Sequence, residues 1–342
     1  MAFFRKLMKE TLTQMKKCSV IIPLYRGKQY IEECIKSLSV QTYSDFEVIL
    51  MDDGSPDDTY DFVAEILKSY SSLDARLYRQ ENSGVARTRN KCVGLAEGEY
   101  VAFMDQDDTV MPDYLEQLIR QTENGDCDIA LCGYVRRTDE GKILKTVSLC
   151  EDSFSKYRIV APWARIYRRA FLLDNGLEFL PTPCGEDTYL TIQAYALTRN
   201  IRIACGYTGY VWRYNPTSVS NTHQRSVKIA NDACDTFEKI VAALPTQRCS
   251  DPRDEEYFFI RACLFYLLFS SHAESSDEVE YAYNRYFSFL EKNFPSYAKN
   301  PLIGITKPKS ESASVRCTVW GFLLLKKLGL GKAFAKLWSK LH

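Results

Sequence analysis

The chain has 342 residues, of which 46% are hydrophobic and 26% charged, a globular composition long enough for one large α/β domain and an appendage. Lysine plus arginine and aspartate plus glutamate number 44 each, so the formal net charge is zero and the basic surplus of a nucleic-acid-binding domain is missing; no nucleic-acid partner is expected. The 12 cysteines are scattered without paired CxxC spacing and the three histidines, His223, His272 and His342, lie near no cysteine pair, so buried thiols are expected in place of a disulfide framework or a zinc site.

Met1–Lys17 is basic, and its apolar run Ala2–Phe4 is too short for the core of a signal peptide. No stretch approaches the roughly 20 apolar residues of a membrane-spanning helix. The chain is therefore expected in the cytoplasm. Cys18–Ile22 reads as a strand ended by Pro23. Gln29–Val40 carries Tyr30, Ile31, Cys34, Ile35 and Leu38 at helical spacing. Phe46–Met51 reads as a buried strand, Asp52–Pro56 as a turn, and Asp57 or Asp58 can cap a helix over about 59–70. Arg76–Arg79 is a short strand, Gly84–Ala96 a helix and Glu99–Met104 another apolar strand. Four alternations of strand and helix predict a doubly wound, mainly parallel α/β sheet, in which ligands sit beyond the carboxyl ends of the strands.

From about 127 the pattern changes. Asp128–Val135, Lys142–Leu149, Ile201–Cys205 and Tyr210–Tyr214 look like strands, and Tyr167–Asp174 and Asp187–Thr198 like helices. Residues 18–225 are expected to form one domain in two halves, 18–125 and 126–225. Residues 226–300 predict a C-terminal helical appendage, and 301–314 a linker. The segment 316–342 contains no acidic residue; five lysines and Arg316 alternate there with leucines, phenylalanines, Trp320 and Trp338. Such a basic amphipathic stretch suits an anionic membrane surface, although a helix docked on the protein's own core has the same pattern. Gly329 and Gly331 are expected to break it into two short helices.

Chemistry concentrates at the strand ends. Met104-Asp105-Gln106-Asp107-Asp108 puts three carboxylates within four residues, and their repulsion is best relieved by a divalent cation. Oxygen ligands of this kind suit Mg²⁺ or Mn²⁺, whose coordination is completed by substrate phosphates. A solvated acidic turn is the plainer alternative. Asp52-Asp53-Gly54-Ser55 ends a second buried strand; a carboxylate there can accept the imide N–H of uracil, or cap the next helix. Pro23 and Tyr25 can supply a face beside a base. Asn82-Ser83-Gly84 leads into Arg87, Arg89 and Asn90, where basic side chains near a helix start can pair with a diphosphate or with the acidic cluster.

The order Ser19-Val20-Ile21-Ile22-Pro23-Leu24-Tyr25, Gln41-Thr42-Tyr43, Asp52-Asp53-Gly54-Ser55, Asn82-x-Gly84, Arg89-Asn90, Gly98-Glu99-Tyr100 and Asp105-Gln106-Asp107-Asp108 resembles the inverting family-2 glycosyltransferases of the GT-A fold that build bacterial surface polysaccharides. The likeness is strong over 18–115 and loose over 160–220. Cys92 departs from it, standing where such proteins often carry glycine.

The resemblance implies roles. Residues 18–125 become the nucleotide-sugar-binding half and 126–225 the acceptor half. Asp53 would bind the uracil imide with Asp52 beside it, and Pro23 and Tyr25 would line the base pocket. Asn82 and Arg89 would serve the donor. Asp105 would contact the ribose or diphosphate, and Asp107, with Asp105, would hold Mn²⁺ or Mg²⁺. Asp108 would support them or face the sugar. The family's catalytic base lies in a Glu-Asp pair at a helix start, which Glu186-Asp187 matches, with Asp187 as base. Trp163 would stack on a sugar, or be a core ring, and Arg213 would reach the diphosphate. The implied partners are a UDP-sugar and a glycan or lipid-linked acceptor at the inner membrane face. A glycoside hydrolase, a sugar-1-phosphate nucleotidyltransferase and a non-catalytic binding protein are the competing readings.

Overall fold

The computed structural model describes residues 16–123, 125–215, 226–270 and 275–341. The three histidines fall outside these residues. The chain forms two compact units. One comprises the described residues up to Leu149 with Ala161–Pro181 and Asn200–Tyr214; the other comprises Cys150–Val160, Thr182–Arg199 and the described residues after Tyr214.

The first unit is built on a sheet with nine strands among the described residues. β1 (Cys18–Leu24), β2 (Phe46–Asp53), β3 (Ala75–Gln80) and β4 (Tyr100–Phe103) form its parallel part, in the spatial order β3-β2-β1-β4. β2 is buried at every position and β1 at all but Pro23. That explains their continuous apolar runs: a parallel strand covered on both faces has no solvent side to mark with polar residues. Between β1 and β2, helix α1 (Ile31–Ser39) buries Ile31, Cys34, Ile35 and Leu38, the stripe read from the spacing. Helix α2 (Thr59–Ser69) follows β2, with Asp57 Oδ1 accepting from Thr59 N–H at 3.2 Å and Thr59 Oγ1 at 2.6 Å. Helix α3 (Val85–Leu95) leads back to β4.

The other half of the sheet is mixed. β5 (Thr109–Val110) pairs antiparallel with the end of β9 (Ile201–Arg213). β6 (Ile129–Arg137) runs parallel to β9 and antiparallel to β7 (Ile143–Val147) and β8 (Arg165–Arg168). β8 also pairs antiparallel with β4 and joins the two halves. Two local readings change here. The segment expected to be helical from Tyr167 is strand through Arg168 and helix only over Arg169–Asp174, because Arg165–Arg168 fills the gap between β4 and β6. The two expected strands at 201–205 and 210–214 are one strand, whose register on β6 shifts around Gly133.

In the second unit, α4 (Glu186–Leu197) belongs with the helices α5 (Val227–Ala243), α6 (Pro252–Phe265) and α7 (Ser276–Asn293). Phe237, Phe259 and Phe289 are mutually in ring contact at its centre. Ser275 and Glu278 close a capping box on α7, and Asp251 caps α6. The C-terminal segment does break at 329, into α8 (Ala313–Lys327) and α9 (Gly331–Leu341). Both dock on their own unit through one face. Phe322 stacks on Phe287, Lys326 pairs with Glu291, and Lys332 and Lys336 both pair with Glu280. Trp320, Leu324, Leu328, Leu330 and Leu337 remain exposed. Among the described residues no helix is long and apolar enough to cross a membrane.

Candidate active site

The carboxyl ends of β1, β2 and β4 come together because the three strands are parallel neighbours in one register. Pro23 and Tyr25 lie at the end of β1, Asp52 and Asp53 at the end of β2, and the loop from β4 to β5 carries Asp105–Asp108. Gln106 ties the first to the third. Its Oε1 accepts from Tyr25 N–H at 3.0 Å and its Nε2 donates to Tyr25 C=O at 2.9 Å. Gly27 leaves room for this clamp: a Cβ there would stand 2.1 Å from Gln106 Oε1, and the amide would have to shift. The Arg26 N–H donates to Ser55 Oγ at 3.0 Å and ties the first end to the second. Tyr25 is exposed, with the Arg26 guanidinium 5.5 Å from its ring centre.

The two aspartates of β2 differ. Asp53 Oδ1 accepts from Gln80 Nε2 and from the Ser83 N–H, both at 2.8 Å, and Oδ2 accepts from the Gly84 N–H at 2.8 Å. Burial pushes its carboxyl up, but these bonds outweigh it and hold the group below the usual aspartate range. Asp53 thus fixes the turn ahead of α3, with room for one further donor on Oδ2. Asp52 is fully buried. Its Oδ2 accepts from Ser55 N–H at 3.3 Å and faces Arg79 Nε at 3.2 Å, while Oδ1 has no hydrogen-bond partner among the described residues. A buried acceptor without a donor is rare and costly. Gly54 between Asp53 and Ser55 has φ +67°, and a Cβ there would lie 2.6 Å from Asn82 N. Asn82 itself is exposed.

Arg89 on α3 is buried and donates to Asp105 Oδ1 at 2.7 Å. Asp105 and Asp107 are both partly exposed. Asp108 is not: Oδ2 accepts from Tyr210 Oη at 2.6 Å and Oδ1 from the Arg213 N–H at 2.8 Å. Burial, then the charges of Asp105 and Asp107, push the Asp108 carboxyl well above the usual range. Among the described residues no group of three or more His, Cys, Asp and Glu side chains is arranged as a metal cage. Asp105 Oδ2 and the Asp107 carboxylate are hard oxygen donors that fit Mg²⁺ or Mn²⁺ held by few protein ligands, the rest of the shell coming from phosphate and water.

Of the two readings open for Asp108, support of the loop is the one its contacts match: it faces the interior and braces the loop. Trp163 is 7% exposed and stacks on Tyr210 with centroids 4.6 Å apart and planes at 5°, so it is a core ring without an open face. Arg213 does not wait for a diphosphate. Its guanidinium pairs with Glu33 and Asp139 and donates from Nε to the Asp107 carbonyl at 2.8 Å. Sequence reading missed Gln106, Tyr210, Glu33 and Asp139 as supports of the acidic loop. Only Gln106, set between two aspartates, carried a local signal.

Glu186 and Asp187 belong to the second unit, in the first turn of α4, where exposed N–H groups favour carboxylates. The turn before them is pinned by Thr236, whose Oγ1 donates to the Cys184 carbonyl at 2.7 Å and lies 3.0 Å from Thr182 Oγ1. Both acids are partly exposed.

Residues 19–183 match the family model described as Glycosyl transferase family 2. The glycosyltransferase GlyA of Streptococcus pneumoniae is 29% identical over 225 residues, which is 60% of this chain and 31% of that protein. The chain spans 31%, 57% and 62% of the length of three curated bacterial relatives that it matches. Among solved structures, S. aureus TarS 1-349 in complex with UDP-GlcNAc superposes with a TM-score of 0.69 at 20% identity, covering 92% of each chain. The mannosyltransferase PcManGT from Pyrobaculum calidifontis, in complex with GDP-Man and Mn²⁺, gives 0.57 at 16% identity over 96% of this chain and 89% of the other. Both likenesses are of fold, and the fold is GT-A.

Proposed function

We propose that this chain, whose residues 19–183 match the model of glycosyl transferase family 2, transfers a sugar from a nucleotide-sugar, a UDP-sugar first among them, to a hydroxyl of a glycan or lipid-linked acceptor during surface polysaccharide assembly. The observation that carries this reading is the joined edge at the ends of β1, β2 and β4. There an exposed aromatic platform, two buried aspartates and a part-exposed acidic loop are locked together by Gln106 and Ser55.

Tyr25 and Pro23 flank the base. The imide N–H is accepted by Asp53 Oδ2, with Asp52 behind it as a buried acceptor that lacks a donor. Arg89 fixes Asp105 toward the ribose or diphosphate. Asp107 and Asp105 would hold a divalent ion, Mn²⁺ or Mg²⁺, which when bound neutralises the charge growing on the leaving diphosphate. The solved neighbours with UDP-GlcNAc and with GDP-Man and Mn²⁺ support a donor and an ion of these classes on this fold. Asp187 acts as general base, with Glu186 beside it. The acceptor oxygen bonds to the anomeric carbon as the bond to the diphosphate oxygen breaks, and the hydroxyl proton goes to the Asp187 carboxylate. One such displacement inverts the anomeric configuration. The outward rows of α8 and α9, with Trp320, Leu328 and Leu337 beside lysines, bring the chain to an anionic membrane surface at the inner face, where a lipid-linked acceptor lies.

The test is thermal stabilisation by UDP, GDP and dTDP with and without Mn²⁺, followed by turnover of the matching nucleotide-sugars. UDP is expected to stabilise most, and more with the ion. If none of the three stabilises a folded sample, the donor reading is lost.

A further inference from the structure

We infer that the cavity between the start of α1, the turn after β6 and the end of β9 binds one neutral sugar ring. The cavity has a volume of ≈ 290 Å³ and is lined by Tyr30, Glu33, Thr109, Arg137, Asp139 and Arg213, among others. That is the lower limit of small-molecule sites, about 300 Å³, and suits a single ring better than a whole nucleotide-sugar.

The charge of the lining selects the ligand. Arg137 and Arg213 are balanced by Glu33 and Asp139, so neither an anion nor a cation finds a net attraction. Arg213 is already neutralised by the two carboxylates, one oxygen from each. Glu33 Oε1 and Asp139 Oδ2 carry no bond among the described residues, and both side chains are more than half exposed, at 62% and 51%. They offer acceptors, Arg137 offers donors, and Thr109 and Thr138 offer hydroxyls that do both. A ligand that gives and takes hydrogen bonds from adjacent hydroxyls, without a charge of its own, matches that set. Tyr30 adds an aromatic wall, with the Arg213 guanidinium 4.7 Å from its ring centre. Arg213 Nε also donates to the Asp107 carbonyl, so the cavity shares a wall with the acidic loop. On the glycosyl-transfer reading, on which this step rests, the ring belongs to the glycan acceptor.

Saturation-transfer NMR on the full chain, with the methyl glycosides of glucose, galactose and N-acetylglucosamine as separate probes and no nucleotide, tests the site. At least one glycoside is expected to receive saturation. Tyr30→Ala and Arg137→Ala, the second at an exposed rim residue, are each expected to weaken it about tenfold. Tyr30→Phe is expected to keep it, and the UDP thermal shift should not move in any of the three. No transfer to any glycoside, or transfer unchanged in both alanine variants, overturns the inference. Transfer seen only with UDP-glucose or UDP-N-acetylglucosamine gives the ring to the donor and overturns the acceptor assignment. Glycoside binding in a protein without UDP affinity would sink the donor reading and leave this site standing.

Discussion

Tyr210 donates its phenolic hydrogen to Asp108 at 2.6 Å, and the same oxygen accepts from the Asp105 N–H at 3.2 Å. One buried hydroxyl on β9 thus braces both ends of the acidic loop. Tyr210→Phe leaves a buried carboxylate oxygen and a backbone N–H without this partner, each worth about 1–3 kcal/mol. The urea midpoint is expected to fall, and UDP affinity with it. An unchanged midpoint would show that the loop is held by other contacts.

Asp107→Ala should abolish the part of UDP stabilisation that a chelator removes from the parent protein. The readout is the melting shift with UDP and Mn²⁺, before and after EDTA. If the variant retains a full EDTA-sensitive shift, Asp107 does not hold the ion.

Asp187→Asn removes the proton acceptor but keeps the shape of the α4 start. Transfer is expected to drop by about 10²–10⁴-fold, the usual worth of a general base, with UDP affinity nearly intact. Near-normal turnover would move the base elsewhere.

Lys332 and Lys336 hold the Glu280 carboxyl at about 2, below its ordinary 4.5. A depressed carboxyl binds fewer protons folded than unfolded, so its contribution is present above about 4.5 and is lost as pH falls toward 2. Hydrogen-exchange protection of α9 is therefore expected to decline in that window in the parent protein. Glu280→Gln should start lower and lack the decline. Equal acid sensitivity in the two would remove Glu280 from the latch.

Trp320 and Leu328 are exposed on α8 and at its end. Replacing both with glutamate should reduce co-sedimentation with anionic phosphatidylglycerol vesicles and leave UDP stabilisation unchanged. Equal sedimentation would mean that this face does not meet the membrane.

The parallel half of the sheet was legible because β1, β2 and β4 are largely apolar runs with their chemistry directly after them. Asp52, Asp53, Asp105 and Asp107 could be placed at strand ends without knowing a single contact. β8 was not legible. Arg165 and Arg168 make it read as surface, yet Arg165 is fully buried between β4 and β6. Trp163 was ambiguous because its stacking partner Tyr210 lies on β9, 47 residues further along the chain. Arg213 was misplaced for the same reason: Glu33 and Asp139, which claim its guanidinium, lie 180 and 74 residues away in sequence. Long-range pairing of this kind leaves no local period or spacing to read.

Gln106 and Gly27 set a fixed gauge. The amide that meets Tyr25 sits within the loop that carries Asp105 and Asp107, and the bare Cα at 27 lets it approach. Whatever rests on the tyrosine and whatever engages the aspartates are therefore measured against one another. A side chain at 27 would push the Gln106 amide aside and loosen that link.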